Sequence, residues 1–292
     1  RDHLDFHKDI TSYLDAKSRL FSELSGDATA VVNIDDPHAD HILKVSRGGH
    51  RTTFGFNEAA DVYPLSYELG PRGTSVVLAT PAGEISFQLA IPGKYNISNA
   101  MAAVGIAMGC GIPADAVVKG LESMAPVKGR FEIIDEGQEY TVIVDYAHTP
   151  DALERVLLAA REITKGKLIS VFGCGGDRDR GKRPEMGAIS TKLADMTIIT
   201  SDNPRTEDPQ SIIDDIVEGI TGMAEYKSFL ERVDAIMASL HMAHPDDTVV
   251  IAGKGHEDYQ IIGTEKKHFD DSATVRRMIK AMKWKATHCN GY

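Results

Sequence analysis

Apolar positions recur with different periods along this chain, and the changes of period mark its parts. Over residues 8–24 the spacing is helical. Ile10, Tyr13, Leu14, Leu20, Phe21 and Leu24 share one face with Lys17. Ala30 to Ile34 is a short apolar run closed by Asp35-Asp36-Pro37 and reads as a strand. From 40 to 92 come short alternating runs, such as Val76-Val77-Leu78 and Ile85-Ser86-Phe87-Gln88-Leu89, broken by Gly and Pro. They predict antiparallel strands. Pro92-Gly93-Lys94-Tyr95-Asn96-Ile97-Ser98-Asn99 opens an Ala-rich helix to about Met108, and a second helix is expected from Pro113 to Met124.

After Ala125-Pro126-Val127-Lys128-Gly129-Arg130 the rhythm becomes strand, polar loop, helix, repeated. Strands are expected near 131–135, 140–145, 168–172, 196–200 and 248–252. Helices are expected near 150–162, 184–194, 209–221 and 231–242, with a closing helix over 270–283 and a frayed tail after Lys285. The alternation predicts an α/β fold with a doubly wound, mostly parallel sheet. The domain boundary is placed there, giving 1–127 and 128–292.

Open α/β sheets bind ligands at the carboxyl ends of their strands. Four apolar runs of the second part lead into loops rich in chemistry: Asp145-Tyr146-Ala147-His148-Thr149-Pro150, Gly173 to Lys182, Asp202-Asn203-Pro204-Arg205 and Gly253-Lys254-Gly255-His256-Glu257. The third can grip a zwitterion: Arg205 takes a carboxylate, while Asp202 and Asn203 take an ammonium. The alternative is an Asn-Pro turn with a surface ion pair. Gly176-(four residues)-Gly181-Lys182 approaches a phosphate-binding loop. Arg183 stands where Mg²⁺ needs Ser or Thr, and Asp177-Arg178-Asp179-Arg180 is too charged to wrap phosphate with backbone N–H groups. A substrate-recognition loop is the better reading. The glycines around Lys254 let backbone approach a ligand, and Glu257 can accept from an ammonium; a helix N-terminus is the structural alternative. Arg130 and Asp145 flank the domain junction, where a nucleotide between domains would lie. Asn96 and Asn99 begin a helix that one of them would cap, leaving the other to face a nucleotide. His3 and His7 are spaced for shared metal binding or for structure. Lys17 snorkels or, partly buried, becomes chemically useful.

With 292 residues the chain suits two domains. Its net charge of −11 argues against nucleic acid or an anionic membrane as partner, though not against a nucleotide. No apolar run is long enough to span a membrane. Cys110, Cys174 and Cys289 are far apart without metal spacing, as in a reduced, cytoplasmic protein, here expected to be monomeric. Cys174 is expected to pack rather than react. Arg1 to His7 reads like the middle of a folded domain, so an N-terminally truncated chain is expected.

Together these segments resemble the Mur ligases, MurE type. The matching stretches are Arg1–His7, Ala16-Lys17, Gly93–Asn99, Gly129-Arg130, Asp145–Ala152, Phe172–Gly187, Asp202–Asp208 and Ala252–Ile262. The resemblance implies a partial central ATPase domain followed by a Rossmann-like domain that binds the incoming amino acid. It implies ATP and Mg²⁺ as cofactors, with His3 and a carbamate-bearing Lys17 on the metal. Asn96, Arg130 and Asp145 match ATP contacts. Arg178, Asp202, Asn203, Pro204, Arg205, Gly253 and Glu257 match the site for meso-diaminopimelate. The implied reaction is ATP-dependent addition of that amino acid to UDP-N-acetylmuramoyl-L-alanyl-D-glutamate through an acyl phosphate, in peptidoglycan synthesis. Members with Arg at the position of Arg205 use diaminopimelate, whereas lysine-adding members carry a different tetrapeptide. The family's P-loop motif is absent from these residues, so the fragment alone is expected to be inactive. The alternatives are a lysine-adding or folylpolyglutamate synthase-like ligase and a non-catalytic amino-acid-binding module.

Overall fold

Buried parallel strands are apolar on both faces, and the runs at 141–145, 168–172 and 248–252 form the middle of such a sheet. The structure, a computed structural model, describes residues 9–70 and 73–289, the side chains of residue 10 and of 285–289 excepted. His3 and His7 lie outside the described residues. The chain divides into two compact units between Ala125 and Pro126.

The first unit begins with α1 (Ile10–Ser22), β1 (Thr29–Asn33), α2 (Ala39–Val45) and β2 (His50–Phe54). It continues with β3 (Tyr63–Gly70), β4 (Gly73–Thr80), β5 (Gly83–Leu89), α3 (Lys94–Gly109) and α4 (Ala114–Glu122). β3, β4 and β5 form the expected antiparallel meander. Two expectations fail between 40 and 54. Residues 39–45 are helical, and β2 pairs parallel to β1 rather than antiparallel. Ala39, Ile42 and Leu43 recur at helical spacing and pack on Ala30 and Val32, a signal too short to outweigh the alternating strands after it. The apolar face of α1 also differs from the expected one. Ser18 is buried, its Oγ 3.1 Å from His41 Nε2, while Leu20 is 69% exposed.

The second unit contains β6 (Glu132–Ile134), β7 (Thr141–Asp145), α5 (Pro150–Ile163), β8 (Leu168–Phe172), α6 (Lys182–Leu193) and β9 (Met196–Thr200). Then come α7 (Pro209–Val217), β10 (Tyr226–Phe229), α8 (Arg232–Met242) and β11 (Thr248–Ala252). β12 (Tyr259–Ile262), β13 (Glu265–His268) and α9 (Asp271–Cys289) close it. The sheet order is β10-β9-β8-β11-β7-β6, parallel except for β6. Along β8, Leu168 and Phe172 face α5, α6 and α7, while Ile169 and Val171 face α8 and α9. This is the doubly wound α/β sheet that the sequence predicts.

The sequence misses β10 and the β12–β13 hairpin, whose residues other than the polar Gln260 are exposed or half-buried and so carry little apolar signal. α9 runs to Cys289, past the expected frayed start at Lys285. Thr149 and Asp208 cap α5 and α7, each followed by Pro in the first turn, which explains why those starts are legible. Among the described residues no helix is long and apolar enough to cross a membrane.

Candidate functional site

The loops after β8, β9 and β11 meet at the carboxyl edge of the second sheet. Gly173, Gly175 and Gly176 follow β8, and their lack of side chains lets the next loop close on them. A Cβ on Gly176 would collide with the Pro204 carbonyl oxygen. Gly176 N–H donates to Asn203 O at 2.9 Å, which ties the two loops together. Arg205 then adopts a left-handed backbone, φ 53°, that carries the chain back to the hairpin. Its N–H donates to Ile261 O at 3.1 Å, and Gly263 N–H donates to Arg205 O at 2.7 Å.

The sequence-predicted residues Arg178, Asp202, Asn203, Pro204, Arg205, Gly253 and Glu257 thus all stand at this edge. Asn203 Nδ2 donates to Glu257 Oε2 at 3.1 Å, while its Oδ1 accepts from Ile261 N–H at 2.9 Å and from Lys254 Nζ at 3.0 Å. Lys254 is fully buried. Its ammonium also lies 3.0 Å from Asp202 Oδ1 and donates to Tyr259 O at 2.8 Å. Gly253, at φ 120°, sits within 4.0 Å of Asp202, of the Gly173 carbonyl and of Arg232, counted from where its Cβ would be. A turn over Gly255 and His256, closed by Glu257 N–H donating to Lys254 O at 2.9 Å, leads into the hairpin, so the alternative of a helix N-terminus is not what forms.

The cations divide by partner. Arg205 Nη1 donates to Gly176 O at 2.7 Å, and Arg178 Nη1 donates to Asp177 O at 3.0 Å. Among the described residues neither guanidinium pairs with a carboxylate. Both lie beside Gly175, whose Cβ would sit 2.9 Å from Arg205 Nη1 and 3.7 Å from Arg178 Cγ. Arg183, by contrast, is fully buried and donates through Nη2 to Glu207 Oε1 and through Nη1 to Asp215 Oδ2, both at 2.8 Å. The Arg183 hydrogen bonds, with a further one from Asp177 N–H, hold the Glu207 carboxyl down at about 2. Arg232 is equally buried. It grips Asp271 through Nε and Nη2 at 2.8 and 2.7 Å and donates to Ala252 O at 3.0 Å.

The glycine-rich loop spends its backbone donors internally. Gly176 N–H goes to Asn203 O, Asp177 N–H to Glu207, Gly181 N–H to Asp179 and Arg183 N–H to Arg180 O. That agrees with rejecting it as a phosphate cradle. Cys174 is buried with its Sγ 3.7 Å from Met186 Sδ, and burial pushes its thiol up to about 12. It packs, as expected.

A second group lies at the ends of β7 and β11. Asp145 accepts from Phe131 N–H at 2.7 Å and Ala147 N–H at 2.8 Å, pinning the turn that carries Arg130. Burial raises its carboxyl above the usual range, against those hydrogen bonds and the Arg130 charge. The Arg130 guanidinium stacks 4.8 Å over the Tyr146 ring, and Tyr146 also meets His148 and His256 at 4.6 and 5.1 Å. A guanidinium above an aromatic cluster suits a flat or anionic ligand.

In the first unit Asn96 is half-buried at the start of α3. The cap there is Gly93, so neither asparagine caps the helix by its side chain. Asn96 Nδ2 donates to Pro92 O at 2.8 Å, and Asn99 Nδ2 donates to Asn96 Oδ1 at 3.4 Å. Lys17 is exposed on α1 with its ammonium 4.7 Å over the Tyr13 ring. Lys254, Arg232, Arg183 and Tyr146 are the participants to which the sequence assigns no role. A lysine between two glycines was the available signal for the first.

Comparisons with known proteins show the family and the fold. A model for the Mur ligase middle domain matches residues 1–107, and one for the Mur ligase, glutamate ligase domain matches residues 129–255. A UDP-N-acetylmuramoyl-L-alanyl-D-glutamate–2,6-diaminopimelate ligase from Bacillus licheniformis is 43% identical over 289 residues, covering 97% of this chain and 59% of the relative. One from Clostridium tetani is 45% identical over 285 residues, covering 97% and 58%. A solved structure of a ligase with that name is 37% identical with a TM-score of 0.69, covering 97% of this chain and 59% of that one. A MurF ligase from Thermotoga maritima in complex with ADP also reaches a TM-score of 0.69, at 17% identity, which is a likeness of fold. The chain therefore spans just under three fifths of the length of these curated relatives.

Proposed function

Because the chain belongs to the Mur ligase family, we propose that it is the greater part of an ATP-dependent ligase that adds meso-diaminopimelate to UDP-N-acetylmuramoyl-L-alanyl-D-glutamate in peptidoglycan synthesis. Residues 1–127 are the later portion of the central ATPase domain. Residues 128–292 are the domain that binds the incoming amino acid. The single observation that carries this reading is the pair of guanidiniums, Arg178 and Arg205, which no carboxylate among the described residues pairs, in the loops that also hold Asn203 and its partner Glu257. Two cations beside an amide and an anion suit an amino acid with two carboxylates and an ammonium. Lysine ends in an ammonium where diaminopimelate ends in a carboxylate, and Arg205 would repel it.

In the proposed reaction ATP phosphorylates the glutamate γ-carboxylate, and the diaminopimelate amine attacks the acyl phosphate and expels phosphate. What these residues contribute is orientation: Arg178 and Arg205 fix the carboxylates, while Asp202, Asn203, Pro204, Gly253 and Glu257 shape the ammonium end. Arg130, stacked on Tyr146, and Asp145, which anchors its turn, suit the nucleotide, as does Asn96. Mg²⁺ would neutralise phosphate charge. Among the described residues no three His, Cys, Asp or Glu side chains gather for a metal, and an ammonium cannot ligate one. Lys17 fits that role only as a carbamate, with His3 as its companion.

The test is ligand-observed NMR with meso-diaminopimelate and L-lysine on the chain and on Arg205→Ala. A response to diaminopimelate alone, lost in the variant, is expected; equal responses to both amino acids would sink the assignment. These residues lack a P-loop and are proposed not to complete ligation unaided; product formed by a preparation free of longer enzyme would contradict that.

A further inference from the structure

We propose that Lys254 is a positioning residue that sets the charge of the amino-acid site and thereby its preference for a ligand with two carboxylates and one ammonium. The inference rests on the substrate reading above and adds to it a residue which that reading leaves without a role.

A buried ammonium persists only where it is paired and hydrogen-bonded. Lys254 meets both conditions, and its partners are the ligand residues themselves. Its Nζ donates to Asn203 Oδ1 and to Tyr259 O, lies 3.0 Å from Asp202 Oδ1, and lies 3.7 Å from Glu257 Oε2. Among the described residues no hydrogen bond reaches Asp202 Oδ1, so the Lys254 ammonium is the compensating charge for that buried oxygen. The Asn203 amide is oriented by the same contact. With Lys254 and Ile261 N–H both donating to Oδ1, Nδ2 must face Glu257.

The charge of the groups assigned to the ligand follows. Lys254 cancels Asp202. Glu257 contributes one negative charge, and Arg178 and Arg205 contribute two positive ones that no described carboxylate neutralises. The net value is one positive charge. Diaminopimelate poised to react, with its attacking amine neutral, has two carboxylates and one ammonium and so carries one negative charge. Lysine in the same state carries none. Without Lys254 the groups sum to zero, and only the local charges of Arg178 and Arg205 still favour the dicarboxylate, so the preference weakens.

The experiment uses the full-length polypeptide carrying this sequence, and measures kcat and KM for meso-diaminopimelate and L-lysine. The proteins are the wild type, Lys254→Met, and the double variant Asp202→Asn with Lys254→Met. In the single variant KM for diaminopimelate is expected to rise about 10- to 100-fold with a smaller change in kcat, and the preference over lysine to narrow. The double variant removes a cation and an anion together, restores the net charge, and leaves no unpaired buried ion. It is expected to recover at least about tenfold of the lost preference. A purely structural lysine would lower the stability of the single variant but leave the preference of the folded protein for diaminopimelate over lysine unchanged, so that preference is the deciding readout. An unchanged KM in Lys254→Met, or a double variant that folds but discriminates no better than the single one, would overturn the proposal. Should Lys254→Met not fold, the double variant decides: retained preference supports the proposal and lost preference overturns it. A wild type that uses lysine as well as diaminopimelate would instead overturn the substrate reading, whatever the variants do.

Discussion

Five arginines stand in or beneath the loops at the carboxyl edge of the second sheet; Arg180 is exposed and pairs with Asp215 at 2.9 Å, and the other four fall into two kinds. Arg183 and Arg232 are fully buried and held by carboxylates, Glu207 and Asp215 for one and Asp271 for the other. Among the described residues, Arg178 and Arg205 hydrogen-bond to backbone carbonyls and pair with no carboxylate. One kind fastens the loops, and the other is proposed to face what the loops bind. The difference lies in surroundings rather than residue type. A guanidinium inside the protein must bring its counter-ion with it, whereas one at the edge can wait for a ligand to supply it.

That contrast is broken most severely at Arg232. Replacement by Met strands Asp271 in the interior and is expected to cost about 3–5 kcal/mol, read as a lower urea midpoint, while the double change with Asp271→Leu recovers most of it. If Arg232→Met alone were as stable as wild type, the buried pair would not be the fastening described here. Arg205→Ala should behave oppositely. Its unfolding midpoint stays within about 1 kcal/mol of wild type, but affinity for diaminopimelate falls by about 2 kcal/mol, roughly 30-fold, in a calorimetric titration. A large stability loss with intact binding would move Arg205 to the other kind.

Glu207 sharpens the comparison through pH. Its carboxyl is held at about 2 against an ordinary value of 4.5, mainly by hydrogen bonds from Arg183. A depressed carboxylate stabilises the fold above its unfolded pKa, and that contribution disappears as pH falls from about 4.5 towards about 2. Glu207→Gln should cost about 1 kcal/mol at neutral pH and flatten the acid limb of a stability profile over that window. The same slope in variant and wild type would assign acid sensitivity elsewhere. The smallest effect is expected at Arg178, which is exposed and, among the described residues, bonded to the Asp177 carbonyl alone. Arg178→Ala should weaken binding by about 1 kcal/mol or less and leave stability unchanged.

The sequence by itself determined the doubly wound sheet, since strands buried on both faces must be apolar throughout and their helices begin at legible caps, Thr149-Pro150 and Asp208-Pro209. It also picked out the loops whose charged and amide side chains meet at the edge of that sheet, because such side chains clustered after apolar runs have few structural reasons to be there. The tertiary structure decided what those side chains do to one another. Arg178, Arg180, Arg183 and Arg205 look alike in sequence, and only packing separates the paired from the unpaired. Lys254 reads as one more loop lysine until the fold buries it against Asp202 and Asn203. The helix at 39–45, the parallel β2 and the exposed hairpin were hidden for a related reason. Their form is set by long-range pairing, with Ala30 and Val32 or with Arg205, and local periodicity carries no record of partners distant in the chain.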